Sequence, residues 1–228
     1  MTHPFSPHGK ISQVKVEKVK RKMQSIFVRW GMPRQIKIDN GRPFGDPLRQ
    51  GLPPLALWLI GLGIGVIWNR PRTPQDNAKV ERCQGTLGKW TEYEKLKSTE
   101  ALQLALDRES NFYNQVFRDR RKNNTTRLER HPNLMHTRKL YCSGSFKESR
   151  VLSFIAKGCW MRQVSTNGQV SIAGERFSVG QALAGQIVKL NFDAEQKVWQ
   201  VRNSSDRLVC LSSKKVWQRW IARIRGVT

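Results

Sequence analysis

Gly31-Met-Pro-Arg-Gln-Ile-Lys-Ile-Asp39-Asn-Gly41 is the stretch on which the reading of this chain turns. Residues 35–39 predict a short strand, with Ile36 and Ile38 on one face, and Asn40-Gly41 is a turn signal directly after it. An acid therefore stands at a strand end, where the chain reverses. Upstream, residues 11–30 predict an amphipathic helix, because Val16, Val19, Met23, Ile26 or Phe27, and Trp30 recur every three or four positions. Gly31 and Pro33 then stop it. Downstream, Pro53 and Pro54 suit a helix start, Leu55, Trp58, Leu59 and Leu62 its apolar side, Gly63 its stop, and Ile64 to Trp68 the next strand.

A polar loop with Pro71 and Pro74 follows, and a helix begins near Asp76 or Asn77, either of which is a good N-cap. Val80, Cys83, Leu87 and Trp90 share one face of it, and Asn77, Glu81, Gln84 and Gly88 another, so Glu81 lies near the helix start, away from the core face. A further helix runs from about Thr99 to Phe117. Residues 118–150, with ten Lys or Arg against three acids and few apolar residues, read as a linker or an arm. After Val151 the period changes to two. Val170–Ile172, Arg176–Val179, Ile187–Phe192, Val198–Arg202 and Leu208–Leu211 predict a small antiparallel barrel. The tail from Lys214 is basic; Trp217 and Trp220 suit packing better than base stacking.

The net charge of +24 and a pI near 10.8 point to a polyanionic partner, nucleic acid first. Leu52 to Trp68 is seventeen residues without a charge, at the lower edge of a membrane span and broken by Pro53, Pro54, Gly61, Gly63 and Gly65; it reads as a buried helix and strand, with no membrane role. Met1 to Lys10 lacks an apolar signal core, and Cys83, Cys142, Cys159 and Cys210 are scattered, so a cytoplasmic protein with free thiols is expected. The four histidines lack cysteine partners at finger spacing, so no zinc site is expected.

Three strings occur in order: Gly31 to Phe44, Leu59-Ile-Gly-Leu-Gly-Ile64, and Pro71-Arg-Thr-Pro-Gln-Asp-Asn-Ala-Lys-Val-Glu81-Arg. Together they resemble the integrase catalytic core of DDE-type insertion-sequence transposases, which is ribonuclease-H-like. The string from Gly168 to Val179 resembles, less closely, the small SH3-like barrel of many integrases. The resemblance implies an α/β chain: an incomplete ribonuclease-H-like core over 1–117, a basic linker over 118–150, a β-barrel over 151–212 and a basic tail over 213–228. It implies metal-dependent strand transfer in DNA integration or transposition, an in-line attack on a phosphodiester with two metals clamping the attacking and leaving oxygens. Asp39 and Glu81 would be catalytic and would hold Mg2+ or Mn2+, hard cations that take carboxylate oxygens. Asn77 and Lys79 would steer DNA phosphates beside the helix start, and Arg82 would do the same or pair with an acid. Arg118, Arg120, Arg121 and Lys122 would add DNA contacts. The partners would be DNA (transposon ends and target) and further copies, or an intact transposase in a mixed multimer.

The family's first Asp has no counterpart, since residues 1–38 contain no aspartate. The expectation is a truncated, catalytically impaired copy that still binds DNA, its first strands upstream of Met1. A loss of a metal ligand predicts a rate reduced on the order of a thousandfold or more. A non-catalytic regulator that occupies transposon ends is the alternative, and an RNA-binding barrel protein a third reading. The forty-one residues between Asp39 and Glu81 exceed the family's usual spacing, and an extra loop around Gly45 to Gly51 would absorb the excess.

Overall fold

The alternation of Ile36 and Ile38 with Gln35 and Lys37 produces the expected strand, β1 (Gln35–Ile38), with Ile38 buried and Ile36 half-buried. The computed structural model describes residues 15–41, 44–45, 52–132 and 139–226. Residues 11–14 of the expected first helix and 46–51 of the expected loop lie outside these. Helix α1 (Val16–Trp30) ends at Gly31, whose φ of 82° is open to glycine at little cost. Helix α2 (Pro54–Leu62) follows β1 and ends at Gly63 in the left-handed conformation. Strand β2 (Gly65–Trp68) pairs parallel with β1, Gln35 opposite Gly65 and Ile38 opposite Trp68. Parallel strands need a crossover, and α2 supplies it.

By packing the chain divides into two compact units, residues 1–68 with 140–228, and residues 69–139. In the first, α2 is buried nearly all round rather than on one side, as an apolar helix must be. Helix α1 packs on it, with Phe27 stacked on Trp58. So do α6 (Glu148–Ile155) and α7 (Lys214–Arg225). Gly61 is fixed by this packing, because a Cβ there would enter the Phe146 ring. Its carbonyl accepts from Lys147 N at 2.9 Å and from the Arg150 guanidinium at 3.0 Å, placing a cation at the negative end of α2.

The C-terminal strands correct an expectation. Strands β3 (Trp160–Gln163), β6 (Ile187–Asp193), β7 (Val198–Arg202) and β8 (Leu208–Leu211) make one antiparallel sheet in the order β3-β6-β7-β8. Strands β4 (Gln169–Ile172) and β5 (Glu175–Ser178) form a separate hairpin. Among the described residues there is no closed barrel. The reason lies in the residues read as a basic tail. They form α7, capped by Ser213 Oγ on Lys215 N, and its apolar stripe of Val216, Trp217, Trp220, Ile221 and Ile224 is buried. Trp220 meets Trp199 of β7, and Trp217 meets Phe192 of β6, so a helix covers apolar residues of the two central strands that a barrel would have turned into its own interior. Burying these two indoles accords with their reading as packing residues.

Two ion clusters fasten α7. Glu175, 6% exposed, accepts from Arg219 at 3.1 Å and Arg223 at 2.6 Å. Glu148 accepts from Lys197, from Trp217 Nε1 at 3.0 Å and from Arg225 at 2.8 Å. Lys20 of α1, 2% exposed, donates to the Ile224 and Arg223 carbonyls at the end of α7.

The second unit holds α3 (Ala78–Thr91), α4 (Thr99–Gln115) and the short α5 (Arg127–Arg130). Trp90 packs edge-on against Phe112, Tyr113 and Phe117, joining α3 to the end of α4. Among the described residues none of its apolar side chains is fully buried, and Val80, Leu104 and Val116 are exposed. Its buried residues are Asn69, Thr91 and Thr126. No helix among the described residues is long and apolar enough to cross a membrane.

Candidate functional site

Asp39 stands one residue past β1, its carboxylate exposed and its Oδ1 accepting from Asn40 N at 2.7 Å. The loop after it folds back tightly. Phe44 N and Gly45 N both donate to the Gly41 carbonyl, at 3.0 and 2.9 Å. A Cβ on Gly45 would come within 2.6 Å of the Asp39 carbonyl oxygen, and one on Gly41 within 3.0 Å of Asp39 Oδ2. Two glycines therefore give the backbone room to turn around this acid, as the Asn40-Gly41 signal implied.

Glu81 lies in the first turn of α3, its amide donating to the Asn77 carbonyl at 3.0 Å and its carboxylate exposed. Lys79 and Arg82 are exposed on the same stretch. Asn77 is the N-cap residue by position, but its side chain makes no cap bond. Its Oδ1 accepts instead from Asn69 Nδ2 at 2.6 Å. The loop before the helix is clamped a second time, by Arg70, whose amide and guanidinium both donate to Asp76. This clamp was not legible in the sequence, since residues six apart across a proline-containing loop follow no periodic rule.

The four cations expected to contact DNA after α4 divide in two. Arg118 is engaged: its guanidinium donates to Glu129 at 2.8 and 3.3 Å and to the Asn124 carbonyl at 2.9 Å. Glu129 also accepts from Thr126 N at 2.7 Å. That backbone bond first, and then the Arg118 charge, hold the Glu129 carboxyl below its ordinary value. Arg120, Arg121 and Lys122 occupy one 3-10 turn and are exposed. The turn is closed by Asp119, whose Oδ1 accepts from Arg121 N, and by the Asp119 amide donating to the Thr125 carbonyl across the loop. Asn123 and Asn124 take positive φ of 54° and 52°, a conformation that asparagine tolerates. Arg127 is held over the Tyr113 ring, 3.2 Å from its centroid.

Asp39 belongs to one compact unit, and Asn77, Lys79, Glu81, Arg82 and the 118–122 cations to the other. Among the described residues no three His, Cys, Asp or Glu side chains gather as a metal site. Mg2+ takes near-octahedral oxygen ligands and needs its carboxylates together. The donors described do not make up the three-carboxylate set that the resemblance implies for strand transfer. No protein-family model matches the chain.

Proposed function

We propose that this chain is a DNA-binding protein of the DDE strand-transferase type, with a ribonuclease-H-like ancestry, that does not itself join DNA strands. The observation that carries the reading is the β1-α2-β2 parallel unit with Asp39 at the carboxyl end of β1, followed in sequence by a helix with Glu81, Lys79 and Arg82 exposed in its first turns. In open parallel sheets, chemistry collects at the carboxyl ends of strands. The chain supplies two of the acids that such chemistry uses. Its charge of +24 provides the affinity for phosphate, and counterion release its driving force.

The test has two parts. Affinity for a short duplex should fall steeply as salt rises, and a flat salt response would sink the DNA-binding claim. A strand-transfer assay with Mn2+ and this chain alone should give no joined product; product that Glu81→Gln abolishes would overturn the claim of inactivity.

A further inference from the structure

We propose that the outward face of the sheet β3-β6-β7-β8 binds a second copy of this chain, as a two-fold, face-to-face pair. The inference goes beyond the DNA-binding reading and does not depend on it. The inner face of the sheet is taken by α7, through Phe192 and Trp199. Residues opposite one another in antiparallel strands point to the same side, as do residues two apart on one strand. The register therefore sets Met161, Lys189, Arg202 and Leu208 in one row across the outward face, with Ile187 and Leu211 outward beside it. Two apolar patches result, at opposite edges. Met161 and Ile187 on β3 and β6 are 58% and 57% exposed, and Leu208 and Leu211 on β8 are 44% and 48% exposed. Apolar side chains grouped and exposed in this way mark an interaction surface.

Charge selects the occupant. The chain carries forty-one Lys or Arg against seventeen acids, but residues 187–211, which hold β6, β7 and β8, carry four against three. The polar centre of the face is closed on itself. Lys189 donates to the Asp206 carboxylate at 3.1 Å, Arg202 to the Asp206 carbonyl at 3.0 Å and to Gln200, and Gln200 to Asp193 at 3.1 Å. A nearly neutral face offers little to a polyanion, whose binding needs cations that replace its counterions. It is also a face on which two strongly cationic copies meet with little repulsion. A two-fold axis parallel to the strands lays β3 of one copy over β8 of the other. The Met161 and Ile187 patch of each copy then meets the Leu208 and Leu211 patch of the other, at the spacing of about 10 Å that side chains fill between stacked sheets. Four strands span only about 14 Å, so the face is smaller than the roughly 800 Å² per partner of a standard interface, and the pair should be weak, with a Kd of about 10 to 100 µM.

Sedimentation equilibrium of the full chain, without DNA, reads the pair directly. The parent should dimerise as concentration rises, and more tightly as salt rises from about 0.05 to about 0.3 M, because screening shortens the reach of the net charge. Binding to DNA weakens over the same range. M161E/I187E and L208K/L211K should each keep the parent's Tm, since all four side chains are exposed, and dimerise at least about tenfold more weakly. Mixed in equal amounts, the two should pair again, because the glutamates of one meet the lysines of the other and the two unaltered patches meet as well. M161S/I187S, which changes no charge, should also lose the dimer and carries the test if a charged variant unfolds. A parent dimer that these variants leave intact overturns the proposal by placing the contact elsewhere. Loss in both charged variants with no recovery on mixing overturns the two-fold pairing. A parent that stays monomeric overturns it too: the face then belongs to DNA if M161S/I187S weakens duplex binding, and to a different protein or to none if it does not. Duplex binding by the parent tests the functional reading separately.

Discussion

At the scale of single residues, the most informative group is one outside the candidate site. Glu148 gathers Lys197, from the turn before β7, and Trp217 Nε1 and Arg225, both of α7. Burial alone pushes its carboxyl up, but the hydrogen bonds from Trp217 and Lys197 and the charges of Lys197 and Arg225 outweigh this, and the carboxyl sits below its ordinary value. A depressed carboxylate stabilises the fold at pH above its unfolded value, about 4.3 for Glu. That contribution is lost as pH falls through the lower, folded value. Thermal unfolding followed from about pH 6 to about pH 3 should therefore show a steeper loss of Tm in the parent than in Glu148→Gln, which has no proton to gain. Parallel curves would remove Glu148 from the account of how α7 is held. Asp39 and Glu81 contrast with it: both are exposed, and their positions are set by the strand end and the helix start beneath them.

At the scale of elements, α7 decides the architecture of the C-terminal half. Its Trp220 is 1% exposed and touches Trp199 and Trp217. Trp220→Ala should cost about 3–5 kcal/mol, as removal of large buried aromatics does. Denaturant unfolding should report it as a lower midpoint; a loss below about 1 kcal/mol would mean that α7 is a dispensable tail. This helix also marks where the sequence misled. Two-residue alternation was legible in β6 and β7, where Val188, Leu190, Phe192 and Val201 turn inward. Strand count and period do not specify closure, however, and the element that covers the sheet was hidden by its charge. Its stripe at 216, 217, 220, 221 and 224 has helical spacing, yet every other residue of the helix except Ala222 is Lys, Arg or Gln. The stops at Gly31 and Gly63, strand β1 and the start of α4 were legible, because each rests on local chemistry; the start of α3 falls at Asn77 as read, but without the side-chain cap that suggested it. The engagement of Arg118 was not. Its partner Glu129 lies eleven residues away, across a loop whose shape depends on two asparagines at positive φ.

At the scale of the whole molecule, charge is unevenly held. Residues 69–139 carry sixteen Lys or Arg against nine acids, and the rest of the chain twenty-five against eight. Both parts are therefore cationic, and a polyanion has reason to meet either. In 69–139 several acids are used locally: Glu129 on Arg118, Asp76 on Arg70, Glu92 on Lys95, and Glu109 on Arg108. Arg120, Arg121 and Lys122 stand out as three consecutive cations on one turn, and the turn itself is closed by backbone bonds and by Asp119 rather than by their side chains. Removing those side chains should leave the fold intact and weaken only the grip on phosphate. R120A/R121A/K122A should accordingly keep the parent's Tm while lowering the slope of log affinity on log salt by about 2 to 3, at about 0.9 for each phosphate no longer neutralised. Arg118→Ala should do the reverse, loosening the loop by leaving Glu129 without its cation while changing the salt slope by less than about one unit. If the two variants exchange these behaviours, the loop geometry described around Glu129 is wrong, and Arg118 is the residue that meets DNA.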